Sequence, residues 1–265
     1  NPRNFDALFN HHVALVRLNR HEEAIASLDK ALALESNLKY APGAAMHSRA
    51  HICDWQDYEL RRERLLSDVR AEKLVSDPFA FLSVADDPAD QLNCAITGVR
   101  DKHPKISPPV WNGERYRHER IRVAYLSADF HEHATAYLMA GLFEQHDRRQ
   151  FEITAVSFGP NAPSEMRARL DAAFEHFIDV RQKSDREVAD LLRELEIDIA
   201  VDLKGFTTDS RAGIFAFRPA PIQVNYLGYP GTMGADYIDY ILADRTVIPE
   251  DHHPYFTEKV VYLPD

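Results

Sequence analysis

At 265 residues, 45% hydrophobic and 28% charged, the chain has the composition of a globular protein with room for one large domain or two ordinary ones. Its net charge of -11 argues against nucleic acid or an anionic membrane surface as the main partner, and no apolar run reaches the roughly 18 residues that a membrane span needs. Two cysteines, Cys53 and Cys94, are too few for a disulfide framework or a thiolate metal site, a usage that fits a reducing cytoplasm.

The chain opens Asn1-Pro2-Arg3, without an initiator Met or a signal-peptide pattern, and stops after a strand-like run at Tyr262-Leu263-Pro264-Asp265. It reads as a piece of a longer polypeptide. Helical periodicity comes first. Over 21–34, Ala24, Ile25, Leu28, Ala31 and Leu32 share one stripe, and Leu8, Val13, Ala14 and Leu15 mark a shorter helix ahead of it. The spacing of Ala24, Leu28 and Ala31 is that of the second helix of a tetratricopeptide repeat, where small residues let paired helices approach. His12 departs from that pattern where Gly is usual, and Ser36 where Pro is frequent; an ordinary helical hairpin is the alternative.

A looser helical pair is expected over about 41–74, with Trp55, Tyr58, Leu65, Leu66 and Val69. One repeat cannot bury its own apolar face, so residues 1–75 read as the end of an array or a cap on the next domain. Residues 76–118 read as a helical transition and linker. They hold a short apolar run at 78–82, a helix opened by Asp86-Asp87-Pro88 and ending near Val99, and then a Pro- and Arg-rich stretch.

From Ile121 the period changes. Strand-length apolar runs fall at 122–127, 151–157, 177–180, 197–203, 222–227, 238–243 and 259–263. Ser184 and Glu187 form a capping box ahead of Val188, Leu191, Leu192 and Leu195 at helical spacing. Strands apolar on both faces, alternating with helices, predict a doubly wound α/β domain on a parallel sheet over 119–265.

Open parallel sheets bind ligands beyond the carboxyl ends of their strands. The loops expected there are 127–135, with Asp129, His131, His133 and Thr135; 202–211, with Lys204, Gly205 and Arg211; and 227–234, with Gly228, Pro230 and Gly231. Each has a plain reading when taken alone: Asp129 or Thr135 as a helix cap, the glycine loop as a tight connection. His131 and His133 make a metal pair only with a third ligand such as His176 or Asp129, and no zinc spacing follows. Neither a dinucleotide glycine motif nor a P-loop lysine is present.

Together the segments are more specific. The string Ile121-Arg122-Val123-Ala124-Tyr125-Leu126-Ser127-Ala128-Asp129-Phe130 is followed by His133 and by Glu175-His176-Phe177-Ile178-Asp179. Next come Phe217-Arg218-Pro219-Ala220-Pro221-Ile222-Gln223-Val224, Leu227-Gly228-Tyr229-Pro230-Gly231-Thr232 and Asp239-Tyr240-Ile241-Leu242-Ala243-Asp244. In this order they resemble the catalytic region of the protein O-GlcNAc transferase family (glycosyltransferase family 41), its bacterial members in particular. The resemblance covers 119–265, and that family carries tetratricopeptide repeats ahead of its catalytic core.

The resemblance implies a Rossmann-like lobe forming the first half of a GT-B fold. The second lobe of the same polypeptide, with most UDP contacts, then lies outside this chain. It also implies inverting transfer of GlcNAc from UDP-GlcNAc to Ser or Thr hydroxyls of an acceptor protein or peptide, in the cytoplasm, with no cofactor or metal. His133 then matches the general base and Asp129 its orienter or proton acceptor. Leu227, Gly228 and Pro230 match the loop beside the donor sugar and Arg211 an arginine in the cleft. Thr135, at the N-terminus of its helix, is placed to meet a phosphate or the sugar, and His176 reads as an outer member of the site. For Arg211 a surface ion pair, and for His176 a structural role, are the alternatives. The chain departs from animal members at Tyr137 and over 204–208, and Asp77 stands where they carry an additional histidine. Relatives using GDP-fucose or UDP-glucose are the first rival. A peptide-binding repeat scaffold with a lapsed lobe is the second, though Asp129, His133 and the intact 227–232 loop speak against it. A metal-dependent hydrolase on His131 and His133 is the third.

Overall fold

The structure, a computed structural model, describes residues 4–264 and comprises two compact units that part between Gly98 and Val99. The first unit is helical: α1 (Phe5–Arg17), α2 (His21–Leu34), α3 (Ala41–His51), α4 (Tyr58–Arg70), α5 (Pro78–Leu82) and most of α6 (Pro88–Lys102). Asn4 caps α1 by accepting the Ala7 N–H. Ala24, Leu28 and Ala31 are fully buried, so the small-residue stripe of α2 is its packing face, as the spacing predicts.

The departure at His12 has a structural reason. Its buried imidazole fills the helix crossing and donates from Nδ1 to the Ala24 carbonyl at 3.1 Å, while Ser27 Oγ donates to Leu8 O at 2.9 Å. A histidine cluster continues from there: His21 stacks on His51 at 4.3 Å between ring centroids, and His51 meets His47 edge-on at 4.7 Å. Burial holds His12, His21 and His47 below the ordinary imidazole value.

Met46, Leu65, Leu66, Val69, Phe81, Val84 and Cys94 form one core across α3 to α6, and Arg70 grips Asp90 through two bonds of 2.8 and 2.7 Å. Residues 76–98 are therefore part of the helical body. A cavity of about 670 Å³ opens among α2, α3 and α4, floored by Leu38, Met46 and Leu65 and rimmed by Arg49 and Arg64.

The second unit takes up the rest of the expected linker. The N–H groups of Ile106, Val110 and Trp111 donate to the carbonyls of Ala216, Phe217 and Arg218, which pins this Pro-rich stretch to the unit. Strands follow: β1 (Ile121–Ser127), β2 (Phe151–Ser157), β3 (His176–Asp179), β4 (Ile199–Asp202), β5 (Ile222–Tyr226), β6 (Tyr240–Ala243) and β7 (Lys259–Tyr262). All pair in parallel, in the order β3-β2-β1-β4-β5-β6-β7. Five of the strands lie inside their expected apolar runs, and β1 and β3 each begin one residue before theirs.

The crossover helices are α7 (Ala134–Gln145), α8 (Glu165–Ala173), α9 (Asp185–Glu194) and the single turn α10 (Gly213–Ala216); a 3₁₀ turn, Glu250–Tyr255, precedes β7. The predicted Ser184–Glu187 capping box opens α9. Residues of α7 and α8, with Phe130 and Phe174, cover the face carrying Val123, Tyr125, Ile153, Ala155, Val201 and Leu203. After β3 the chain returns to the middle and lays β4 on the other side of β1. The crevice beyond the carboxyl ends of β1 and β4 is thus the topological switch point.

The neutral histidines make the helical unit acid-sensitive. Their folded values lie below the unfolded one, so their contribution is complete above about pH 6.5 and is lost as pH falls and the unfolded chain takes up protons. Hydrogen exchange of amides in α1 to α3 should accelerate between about pH 7 and 5.5, beyond the intrinsic trend, and His47→Gln should reduce that acceleration. A pH response unchanged by the substitution would refute this assignment.

Candidate active site at the switch point

The loop from β1 into α7 folds back on itself at once. Asp129 N donates to Ser127 Oγ at 2.9 Å, and His131 N to the Asp129 carbonyl at 2.8 Å. This turns the Asp129 carboxylate inward, where Lys204 Nζ meets it at 2.8 and 3.0 Å from just beyond β4. The two side chains are only 8% and 6% exposed. His133 sits beside them, with Nδ1 3.5 Å from Asp129 Oδ2.

The residue that caps α7 is His133 itself. Its backbone is extended, and Nδ1 accepts the Thr135 N–H at 3.2 Å, which leaves the ring proton on Nε2. Thr135 also directs its hydroxyl at Asp129 Oδ2, 3.5 Å away. Asp129, His133 and Thr135 therefore form one cluster, at the start of a twelve-residue helix whose first N–H groups favour an anion.

Lys204 and Asp202 lie in the expected 202–211 loop, where sequence reasoning assigned neither of them a role. Asp202 closes β4; its Oδ1 accepts the Lys204 N–H at 2.8 Å, and its Oδ2 has no partner. Burial pushes this carboxyl up to about 6, against the opposing N–H bonds from Lys204 and Gly205 and the Lys204 charge. The available signal was a carboxylate and an ammonium two residues apart, flanking Leu203 at the end of an apolar strand.

The turn 203–205 also carries the third loop. Gly205, at φ +53°, lies so close to Tyr229 that a side chain there would meet its Cβ at 2.3 Å. A side chain at Gly228 would meet the Leu203 carbonyl oxygen at 1.9 Å. Leu227 takes a left-handed φ of 65° and is 40% exposed, beside exposed Pro230. Buried Glu258 accepts from Thr232 Oγ1 at 2.7 Å and Met233 N at 2.6 Å, anchoring the far end of the loop. Its burial raises the carboxyl above its usual range, outweighing those bonds.

Two expected site residues have other work. Arg211 is a bridge between loops: it pairs with Asp185 at 2.7 Å and donates to the carbonyls of Val180 and Lys183. Its donors are occupied in holding the β3–α9 connection, with the arginine side chain 18% exposed and the aspartate 37%. His176 is the first residue of β3, at that strand's amino end, so the structure removes it from the cleft. It lies 3.5 Å from Glu152 and borders a separate cavity of about 450 Å³ with Arg122, Glu175 and Glu194. His131 and His133 have ring centroids 5.6 Å apart, and among the described residues no group of three or more His, Cys, Asp and Glu side chains is placed to hold a metal ion.

Comparison with known proteins bears on this site directly. The family description "Glycosyl transferase family 41" matches residues 105–265, which include every residue of the cluster. The chain belongs to glycosyl transferase family 41. Within that family, the probable UDP-N-acetylglucosamine–peptide N-acetylglucosaminyltransferase SEC of Arabidopsis thaliana is 33% identical over 236 residues, 83% of this chain and 24% of that protein. The UDP-N-acetylglucosamine–peptide N-acetylglucosaminyltransferase of Caenorhabditis elegans is 32% identical over 231 residues, 80% of this chain and 20% of its own length. A solved O-GlcNAc transferase mutant of Thermobaculum terrenum shares the fold, with a TM-score of 0.73 at 24% identity over 99% of this chain and 51% of that one. The chain thus spans about half of the solved protein and a smaller part of the other relatives. No helix among the described residues is long and apolar enough to cross a membrane.

Asp202 gives a test of this geometry. Its folded value lies above the unfolded one, so its contribution is most favourable below about pH 4 and declines as pH rises through about 6. Asp202→Asn keeps an oxygen for Lys204 N and adds an amide donor next to Asn225, its register partner, whose Oδ1 has no partner. The variant should gain roughly 1–3 kcal/mol above pH 7 and nothing near pH 4. Equal thermal midpoints for variant and parent at both pH values would refute it.

Proposed function

We propose that this chain carries the first catalytic lobe of an inverting glycosyltransferase that moves GlcNAc from UDP-GlcNAc to Ser or Thr hydroxyls of proteins. The observation that carries the reading is the His133–Asp129 pair at the switch point, on the cleft side of a Rossmann-like sheet. The names of the relatives, all of the UDP-N-acetylglucosamine–peptide type, support the donor and the acceptor class.

In a single displacement the acceptor oxygen forms a bond to the anomeric carbon as the bond to the diphosphate oxygen breaks, and the hydroxyl proton must leave as attack proceeds. His133 takes that proton on Nε2, which requires its own proton on Nδ1, and Asp129 is the acceptor within reach of Nδ1–H. Negative charge developing on the leaving diphosphate is favoured by the amino end of α7, beside Thr135. Leu227, Gly228 and Pro230 flank the donor sugar, on a loop held rigid by Gly205 and Glu258. A second lobe of the same polypeptide completes the nucleotide pocket. Transfer runs without a metal in this reading, so it persists in a chelator.

The helical unit is the end of a tetratricopeptide-type array that presents the acceptor protein. Its two cysteines, Cys53 and Cys94, are thiols and not a disulfide, which fits a cytoplasmic setting.

His133→Asn separates catalysis from capping, because asparagine is a good N-cap and has no base. In the full-length protein, its kcat should fall about 10²–10⁴-fold, with UDP affinity by calorimetry within a few-fold of the parent. Parental transfer rates in that variant would remove His133 from the mechanism. Preference for GDP over UDP in the same titration would move the donor to a GDP-sugar.

A further inference from the structure

We propose that Lys204 is a positioning residue that keeps His133 neutral, by competing with the imidazole for Asp129. The inference rests on the transferase reading for its effect on rate, and on geometry alone for its effect on His133.

Asp129 Oδ2 is approached by the Thr135 hydroxyl at 3.5 Å and by two nitrogens. Lys204 Nζ lies 2.8 Å from it and His133 Nδ1 3.5 Å. The imidazole is meanwhile held by another bond, because Nδ1 accepts the Thr135 N–H at 3.2 Å. One nitrogen cannot accept from Thr135 and donate to Asp129 at once. With Lys204 on the carboxylate, His133 keeps its lone pair on Nδ1 and its proton on Nε2, and serves the helix as a cap. When the ring leaves the cap and places Nδ1–H on Oδ2, Nε2 is freed to accept a proton. Both forms are neutral imidazole; passing between them gives the Nε2 proton to solvent and takes one from solvent on Nδ1, which the 41% exposed side chain permits, together with a small movement of the ring.

Removing the lysine changes the charge on the ring. Asp129 would be left as a buried carboxylate with no ammonium, and the nearest group able to become a cation beside it is His133. The imidazole would then bind a second proton and lose its function as a base near neutrality. The other charged groups around the ring do not replace Lys204. His131 lies on the same loop, 5.6 Å away between centroids, and Glu132 turns outward to Tyr137 and the Met166 N–H. From the β4 side, Asp202 holds the lysine's own backbone and fixes where Nζ can reach.

The test is the titration of the His133 ring by nuclear magnetic resonance in the 265-residue chain, assigned by the loss of its signals in His133→Asn, with the pH profile of kcat/KM in the full-length protein. Lys204→Met should raise the His133 midpoint by about one pH unit and move the acidic limb of kcat/KM with it, so that the rate near pH 7 falls severalfold and recovers as pH rises. Lys204→Arg should restore both. Asp129→Asn, which leaves the lysine uncompensated, should lower the midpoint, and it decides the matter if Lys204→Met does not fold. A folded Lys204→Met chain with an unmoved midpoint overturns the proposal, as does an unmoved midpoint in Asp129→Asn. A full-length protein that transfers no sugar refutes the transferase reading instead, and the ring titration still decides the role of Lys204.

Discussion

The second unit is organised around one buried ion pair. Asp129 and Lys204 come from the ends of β1 and β4, the strands on either side of the switch point, and meet where water barely reaches. Taking two charges out of water costs several kcal/mol per ion, and an apolar pair of similar volume is often at least as stable. Stability is therefore a weak reason for this pair to be there. Its geometric effect is to tie together, beyond the strand pairing and the shared core of Phe130 and Leu203, the two loops that carry the histidine and the interlocked glycines.

The remaining cleft follows from that fixation by close packing. Leu203 O excludes a side chain at Gly228, and Tyr229 excludes one at Gly205, so the β4 and β5 loops interdigitate at backbone distance. Leu227 is forced into a left-handed conformation that costs a non-glycine residue about 1 kcal/mol or more. Such strain persists only when the surroundings over-determine it. Here they do, with the Gly228 N–H on Tyr226 O at one end and buried Glu258 on Thr232 and Met233 at the other. The loop beside the proposed donor is thus rigid before any ligand arrives, which lowers the ordering cost of binding.

The sheet was legible because buried parallel strands are apolar on both faces and their runs stand out between helical spacings; each of the seven strands lies within or one residue beyond a run read from the chain. The edges were less so. The runs at 197–203 and 238–243 extend past β4 and β6, because the apolar residues before each strand are buried without pairing in it. The linker was misjudged for a similar reason: Pro and Arg mark irregular backbone, but they do not report that Val110 is buried and that Trp111 lies under Arg218. At the site, Asp129, His133 and Thr135 were readable because they are adjacent in sequence. Lys204 was not, since its partner is 75 positions away and a lysine on a loop ordinarily faces solvent. For His176 the structural alternative fits its place at the amino end of β3, which the residue type alone does not report.

The double duty of His133 follows from where it stands. A base at the first turn of a helix stands among backbone N–H groups, with Asp129 3.5 Å from its Nδ1 and Lys204 already on that carboxylate at 2.8 Å. A cap bond is worth about 1 kcal/mol, little enough for the ring to exchange Thr135 for Asp129 when an acceptor hydroxyl is present. Were Asp129 free of Lys204, the carboxylate would hold the ring as a charged pair. Were Asp129 absent, the ring would have no partner for Nδ1–H and would remain a cap. The ion pair that orders the two loops is therefore also what leaves the histidine weakly held between two neutral states, and a base that must gain and lose a proton in each turnover needs that freedom.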